Sequence, residues 1–171
     1  LKRMSRRVNR AQIEDIIKRL REGIPDLTLR TTFITGFPGE TDEQFNELLD
    51  FVEQTRFERV GVFTYSYEEY TPSSGFKEHL PEEVKLERQQ RLMQAQQKIV
   101  FERNDSLIGK VLPAIIDRPH PQEKHVWIGR TQADAPDIDG RVYVKGKLPL
   151  GEFLEVRVMG STDYDLIAEP I

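Results

Sequence analysis

Residues 28–44, with the sequence TLRTTFITGFPGETDEQ, constrain the fold of this chain more than any other stretch. The β-branched run at its start favours a strand, and Gly36 and Gly39 then permit a tight turn. Thr41 and Gln44 have the spacing of a capping box, which predicts that a helix begins directly after the turn. The stretch therefore predicts a strand, a glycine-rich turn and a helix in immediate succession.

A second β-rich run, FERVGVFTYS at residues 57–66, follows the predicted helix. Two strands separated by one helix predict a right-handed parallel β-α-β unit. Such folds bind ligands at the carboxyl ends of their strands, and residues 36–40, which we call the lip, lie at such an end. The lip lacks the Lys and Ser/Thr of a phosphate-binding loop. On spacing alone, an ordinary strand-to-helix turn is the commoner explanation, so a ligand site needs further support.

The segments on either side of this unit are predicted to be helical. Asn9 and Gln12 form a second capping signal, for a helix that Gly23 and Pro25 end. After Pro81 comes a long polar segment whose Gln, Glu, Lys and Arg are predicted to form the solvated face of a helix. Its apolar residues recur every seven positions and predict a narrow packing stripe of Leu86, Met93, Val100 and Leu107.

From about Leu107 onward the chain consists of five short β-rich runs separated by Pro, Gly and Asp. This pattern predicts a small closed or nearly closed β-barrel of the oligonucleotide-binding type. Such barrels often bind RNA, yet the residues from Asp105 to the end include eight basic and eleven acidic side chains. We therefore expect a surface that suits a basic protein better than phosphate.

Composition excludes several classes of chemistry. The 171 residues include no cysteine, which excludes disulfides, a thiolate nucleophile and the usual ligands of an iron–sulfur cluster. No apolar run approaches the roughly 18 residues of a membrane span, which predicts a cytoplasmic protein without a membrane partner. The three histidines lack the spacing of a metal site, so no metal ligand is predicted.

The first 21 residues are basic, with eight Lys or Arg against Glu14 and Asp15. This segment could contact phosphate, or it could be a solvated helix face beside an acidic neighbour. Both interpretations remain open at this point.

Several segments together resemble the radical S-adenosylmethionine methylthiotransferases: LKRMSRR, LRTTFITGFPGETDEQF, FTYSYEEYTPSSGF, ERQQRLMQAQQKI and DAPDIDGRVYV. The resemblance implies an α/β plus all-β fold: the carboxy-terminal part of a radical SAM barrel, a partial TIM-like β/α barrel, followed by a five-stranded OB-like TRAM β-barrel. It places the barrel part and its linking helix at residues 1–104 and the TRAM domain at residues 105–171. The family's auxiliary-cluster domain and CxxxCxxC loop have no counterpart in the sequence, so this chain alone is expected to be inactive.

The family has two branches, which differ after the second strand. The tRNA branch, which methylthiolates a modified adenosine, usually reads YSxRxGT there, whereas this chain reads YSYEEYT. Glu68 and Glu69, with the acidic 134–140 segment, resemble the branch that methylthiolates the β-carbon of an aspartate in ribosomal protein S12. Tyr70 stands where a glycine is common. The tRNA enzyme is kept as the alternative, and a non-catalytic ribosome- or RNA-binding module as a second one.

The resemblance also implies site residues and cofactors. The intact enzyme is expected to use S-adenosylmethionine and two 4Fe–4S clusters. Reductive cleavage of S-adenosylmethionine is expected to give a radical that abstracts hydrogen from the substrate carbon, and a methylthio group is then transferred to that carbon. Glu68 and Glu69 are the predicted contacts to the substrate. The predicted cofactor contacts are Arg6, Ile34, Gly36, Phe37, Gly39, Glu40, Tyr65 and Ser66.

Overall fold

The computed structural model describes residues 1–171 as an α/β unit followed by an all-β unit. The α/β unit contains three helices, two strands and a short 3₁₀-helix: α1 Arg10–Gly23, β1 Arg30–Thr35, α2 Asp42–Thr55, β2 Arg59–Thr64, the 3₁₀-helix Pro72–Gly75 and α3 Glu82–Leu107. The all-β unit contains five strands: β3 Val111–Pro119, β4 Val126–Thr131, β5 Val142–Lys145, β6 Phe153–Thr162 and β7 Asp165–Pro170. The predicted order of elements is confirmed throughout.

Both predicted helix starts are present as complete capping boxes. The Thr41 side chain accepts a hydrogen bond from the Gln44 backbone amide, and the Gln44 side chain accepts one from the Thr41 amide. Asn9 and Gln12 form the same reciprocal pair at the start of α1. These bonds satisfy amides that a helix start would otherwise leave unpaired, and they fix where the turn after β1 must end.

Strands β1 and β2 form a parallel pair in which Arg30 lies beside Arg59 and Thr35 beside Thr64. One face of this pair packs on α2 and α3, around a core of Phe45, Val52, Val62, Leu92 and Ile99. The opposite face is open: Ile34 is 45% exposed and its register partner Phe63 is 62% exposed. The predicted β-α-β unit is thus confirmed, with one apolar strip of its sheet uncovered.

Helix α3 differs from its prediction in the side that it buries. Leu86, a predicted stripe residue, is exposed, whereas three polar residues that were predicted to be solvated are buried: Lys85, Arg88 and Gln96. Asn104, which that prediction did not include, is buried as well. These four side chains donate hydrogen bonds to the backbone carbonyls of Tyr65, Glu40, Phe57 and Asp163, respectively. The solvated-face prediction was wrong for Lys85, Arg88 and Gln96, because their long polar side chains pair with carbonyls at loops and strand ends, which are costly to bury unpaired.

The five carboxy-terminal strands close into a barrel, which confirms that prediction, and their order around the barrel is β3-β4-β5-β7-β6. Alternate residues point inward, so that Val142 and Val144 of β5 and Val156 and Val158 of β6 are buried in one core. No helix in the structure combines the length and the apolar character that crossing a membrane requires.

Long-range polar contacts join the two units. Arg59 pairs with Asp134, and Arg30 pairs with Asp139 at 2.6 Å, so the 134–140 loop of the barrel lies against the amino-terminal ends of β1 and β2. The Ser161 hydroxyl also donates to Asp105 at 2.8 Å. The lip is therefore at the opposite end of the two strands from the barrel contact.

Candidate functional site

At two positions, the backbone of the lip has a conformation that only glycine adopts without strain. Gly36 and Gly39 have φ of +73° and +77°, in the left-handed region. A Cβ at Gly36 would lie 2.4 Å from Cγ of Lys85, and a Cβ at Gly39 would lie 2.4 Å from Nη1 of Arg3. The strand therefore ends in a tightly packed backbone turn without room for side chains at these positions.

Glu40 holds this turn from within. Its carboxylate accepts a hydrogen bond from the Gly36 amide at 3.0 Å and pairs with Nη1 of Arg88 at 2.6 Å. Arg88 also pairs with Asp42, the first residue of α2. Burial alone lowers the pKa of Arg88, but the hydrogen bonds to the carboxylates of Asp42 and Glu40 outweigh burial and raise that pKa above its ordinary value.

Lys85 and Tyr65 bring the end of β2 against the lip. The Tyr65 amide donates to the Thr35 carbonyl at 2.8 Å, and the Tyr65 carbonyl accepts from Nζ of Lys85 at 3.2 Å. The Tyr65 ring is buried and meets the ring of Phe37 edge to face, with 5.4 Å between centroids. Its hydroxyl is buried without a hydrogen-bond partner, which leaves one polar group of this region unsatisfied.

The resemblance implied that Arg6 contacts the cofactor, but the structure brings Arg3 to the lip instead. The Arg3 guanidinium lies 4.6 Å from the ring centroid of Phe76 and 5.8 Å from that of Phe37, and pairs with Glu78 at 3.2 Å. Arg6 is exposed, and its side chain makes none of the hydrogen bonds or ion pairs in the structure. A contact between Arg6 and a cofactor stays a prediction.

The predicted substrate residues lie in the loop that follows β2. Glu68 and Glu69 are exposed, and Glu68 accepts a hydrogen bond from the Ser66 hydroxyl at 3.0 Å. Tyr70 is 99% exposed and has φ of +68°. This left-handed backbone explains why a glycine suits the position, since tyrosine gains no contact there in return for the strain.

Two aspartates of the 134–140 loop are engaged within the chain. Asp134 and Asp139 neutralise Arg59 and Arg30 of the α/β unit, while Asp137 pairs with Arg118 of the same barrel. Two of the eleven acidic side chains from Asp105 to the end thus pair with arginines of the α/β unit. The charge argument for a basic partner consequently rests more on Glu68 and Glu69 than on the barrel.

Other features of the chain lie away from the lip. A cavity of about 520 Å³ lies between the two units, lined by Arg59, Arg103 and Lys110 among others. Burial and the nearby charge of Arg59 lower the pKa of Arg103. No group of three or more His, Cys, Asp or Glu side chains could hold a metal ion. His120 and His125 lie together in the turn between β3 and β4.

Comparison with known proteins relates both units to described families. Residues 1–52 match the radical SAM superfamily, and residues 108–171 match the TRAM domain. Proteins named ribosomal protein uS12 methylthiotransferase RimO are similar over nearly the whole chain. Those of Syntrophotalea carbinolica and Lachnoclostridium phytofermentans are each 48% identical over 99% and 98% of the chain, and that of Geobacter sulfurreducens is 46% identical over 100%. The chain spans 37–38% of the length of these relatives.

The fold and the lip thus define a class: the end of a radical SAM barrel that leads through a long helix into a TRAM barrel. More narrowly, the chain belongs to the radical SAM methylthiotransferase family. The predicted fold class and family are confirmed. The predicted division at residues 104 and 105 lies within α3, which ends at Leu107, and stays a prediction.

The radical SAM family implies S-adenosylmethionine and 4Fe–4S clusters as cofactors, and the two groups differ in how they fit this chain. The exposed apolar pair Ile34 and Phe63, at the carboxyl ends of the two strands beside the lip, fits a flat purine ring. A cluster does not fit, because the chain has no cysteine and no other group of metal-ligating side chains.

Proposed function

We propose that this chain is part of a cytoplasmic enzyme that methylthiolates the β-carbon of an aspartate in ribosomal protein S12. The observation that carries the proposal is the 46–48% identity, over 98–100% of the chain, to proteins named as methylthiotransferases of ribosomal protein uS12. A shared fold alone does not imply a shared substrate. Here the similarity also includes the lip, the loop after β2 and the TRAM unit, and this wider similarity supports a shared substrate.

In this proposal the lip binds S-adenosylmethionine. The two glycines let the turn pack closely on Lys85 and Arg3, and this packing sets where the lip lies beside the purine. Ile34 packs on one side of the ring, and Phe37 and Tyr65 form the wall behind the turn. Glu40 acts through the Gly36 amide that it holds, and Ser66 lies at the end of β2 beside the same surface.

The chemistry divides between the cofactor and the chain. Bound S-adenosylmethionine supplies the radical that removes a hydrogen atom from the substrate carbon. The residues of this chain orient the cofactor and shield one side of it with the apolar pair Ile34 and Phe63. No step through an iron–sulfur cluster is assigned to these residues, since none of them fits a cluster.

The negative charge of the loop after β2 favours a protein substrate over RNA. Glu68 and Glu69 are exposed carboxylates beside the carboxyl end of β2, where they can attract a basic protein segment. An RNA substrate would meet repulsion at the same place, because its phosphates are negative.

The experiment that tests the proposal uses the intact, cluster-loaded protein with S-adenosylmethionine and a reductant. Ribosomal protein S12 and tRNA are offered in separate reactions, and both are examined by mass spectrometry for replacement of hydrogen by a methylthio group. We expect the modification on one S12 aspartate and none on tRNA, and S12 with that aspartate changed to alanine is the control. Modification of tRNA alone would establish the alternative, and neither product would favour the non-catalytic binding module.

A further inference from the structure

We infer that Arg88 is the positioning residue of the S-adenosylmethionine site, fixing the lip through Glu40 without touching the cofactor. The inference rests on the proposed role of the lip and concerns a residue that lies some fifty positions away from it in the sequence. Arg88 belongs to none of the sequence motifs that predict the cofactor site. Its role becomes visible only from the way α3 packs against the lip.

The first argument is the geometry of the guanidinium. Nη1 of Arg88 donates to the Glu40 carbonyl at 3.1 Å and to the Glu40 carboxylate at 2.6 Å, while Nη2 donates to the Asp42 carboxylate at 2.6 Å. One planar group thereby joins α3 to the last residue of the lip and to the first residue of α2. The planar fork of arginine makes these bonds in fixed directions, which a lysine cannot reproduce fully.

The second argument is the link from Arg88 to the backbone that would meet the cofactor. The same Glu40 oxygen that Arg88 binds also accepts from the Gly36 amide at 3.0 Å. Gly36 has φ of +73°, a conformation that must be held by its surroundings. Without Arg88, the carboxylate of Glu40 would be largely buried without its cation, and it would turn toward water and release Gly36.

The third argument is burial. Arg88 is only 4% exposed and the Glu40 side chain 13% exposed, so solvent weakens this pair little. Burying a charged arginine costs desolvation free energy. The bonds of Arg88 to Glu40 and Asp42 offset this cost and also hold the strained turn. Lys85, one turn earlier on α3, packs under Gly36 and completes the support of the lip from below.

The test compares Arg88→Gln, Arg88→Lys and Arg91→Gln in the intact protein. Arg91 is the matched control, because it lies on the same helix, pairs with Glu87 and stacks on Phe45, but does not contact the lip. The readouts are the dissociation constant for S-adenosylmethionine, hydrogen exchange of the Gly36 amide without cofactor, and KM and kcat for the cofactor.

We expect Arg88→Gln to weaken cofactor binding about 10- to 100-fold and to accelerate exchange at Gly36, with KM raised more than kcat is lowered. Arg88→Lys should recover part of the loss, and Arg91→Gln should match the parent. Wild-type affinity and unchanged Gly36 exchange in a folded Arg88→Gln protein would overturn the inference, as would an equal loss in Arg91→Gln.

Two further results keep the test decisive. If Arg88→Gln fails to fold, Glu40→Gln keeps the size of the side chain and removes its charge, and it should show the same two effects to a smaller degree; parent-like values for both would overturn the inference. If the parent protein itself does not bind S-adenosylmethionine, the proposed function fails, and exchange at Gly36 still shows whether Arg88 fixes the lip.

Discussion

Arg59, the first residue of β2, forms a nearly buried ion pair with Asp134 of the TRAM barrel, with side-chain exposures of 12% and 5%. Asp134 also accepts hydrogen bonds from the hydroxyl and the amide of Thr131, which hold its carboxylate in place. Since removing one partner of a buried pair leaves the other charge uncompensated, this contact should contribute strongly to the attachment of the two units.

The three aspartates of the 134–140 loop provide a graded test of that attachment. Asp134→Asn should lower the free energy of unfolding by about 3 kcal/mol, because it leaves Arg59 buried without its main partner. Asp139→Asn should cost less, since its partner Arg30 is 44% exposed and its contact with Nε of Arg59 is long, at 3.9 Å. Asp137→Asn is the matched control and should cost roughly 0–1 kcal/mol, because its pair with Arg118 is at the surface. Urea denaturation measures all three, and equal losses would contradict the docking role.

Gly36→Ala should destabilise the lip by at least about 1–3 kcal/mol, because the new Cβ meets Lys85 and the backbone is left-handed. Gly75→Ala is the control, since a Cβ there has nothing within 4 Å and the residue has no positive φ. Melting temperatures of the intact protein, together with its affinity for S-adenosylmethionine, give the comparison. A Gly36→Ala protein with parent-like values for both would show that the lip is not rigid.

Tyr70→Gly should stabilise the loop after β2 by about 1 kcal/mol, because glycine adopts the left-handed backbone without strain and Tyr70 buries no surface. Tyr67→Gly serves for comparison: its ring packs on His79 at 5.5 Å, and its loss should destabilise the loop. The rate of proteolysis within residues 65–75 reports both changes. A faster cleavage of the Tyr70→Gly protein would contradict this explanation.

Reversal of Glu68 and Glu69 to Lys should weaken binding of ribosomal protein S12, more at low salt than at high salt, because exposed charges are screened. Glu47 and Glu53, exposed on α2, provide a control pair with the same change in net charge. Binding isotherms at two salt concentrations separate the outcomes. An unchanged affinity at low salt would remove Glu68 and Glu69 from the substrate site.

Local signals predicted the fold well. Thr41 with Gln44 and Asn9 with Gln12 each fix a helix start through contacts only three residues apart, so spacing alone reveals them. The alternation of Val142 with Val144 likewise shows which side of a strand is buried. Such features depend on periodicity and on short-range hydrogen bonds, which a single sequence contains.

The parts that sequence reasoning missed depend on distant partners. Arg88 and Lys85 were expected in solvent because their acceptors, Glu40 and the Tyr65 carbonyl, are 48 and 20 residues away. A helical period drawn through Leu92 and Ile99 would have placed Arg88 on the buried side, since it precedes Leu92 by one turn. No comparable signal selects Arg3 over Arg6, or pairs Asp134 with Arg59.

Hydrogen exchange of the intact protein, with and without S-adenosylmethionine, tests the central claim about the lip most directly. We predict that the cofactor slows exchange in peptides that cover residues 33–41 and 62–66, and leaves the TRAM strands β3 to β7 unchanged. Protection confined to other parts of the protein, with the Gly36 and Gly39 amides exchanging as before, would contradict the assignment of this site.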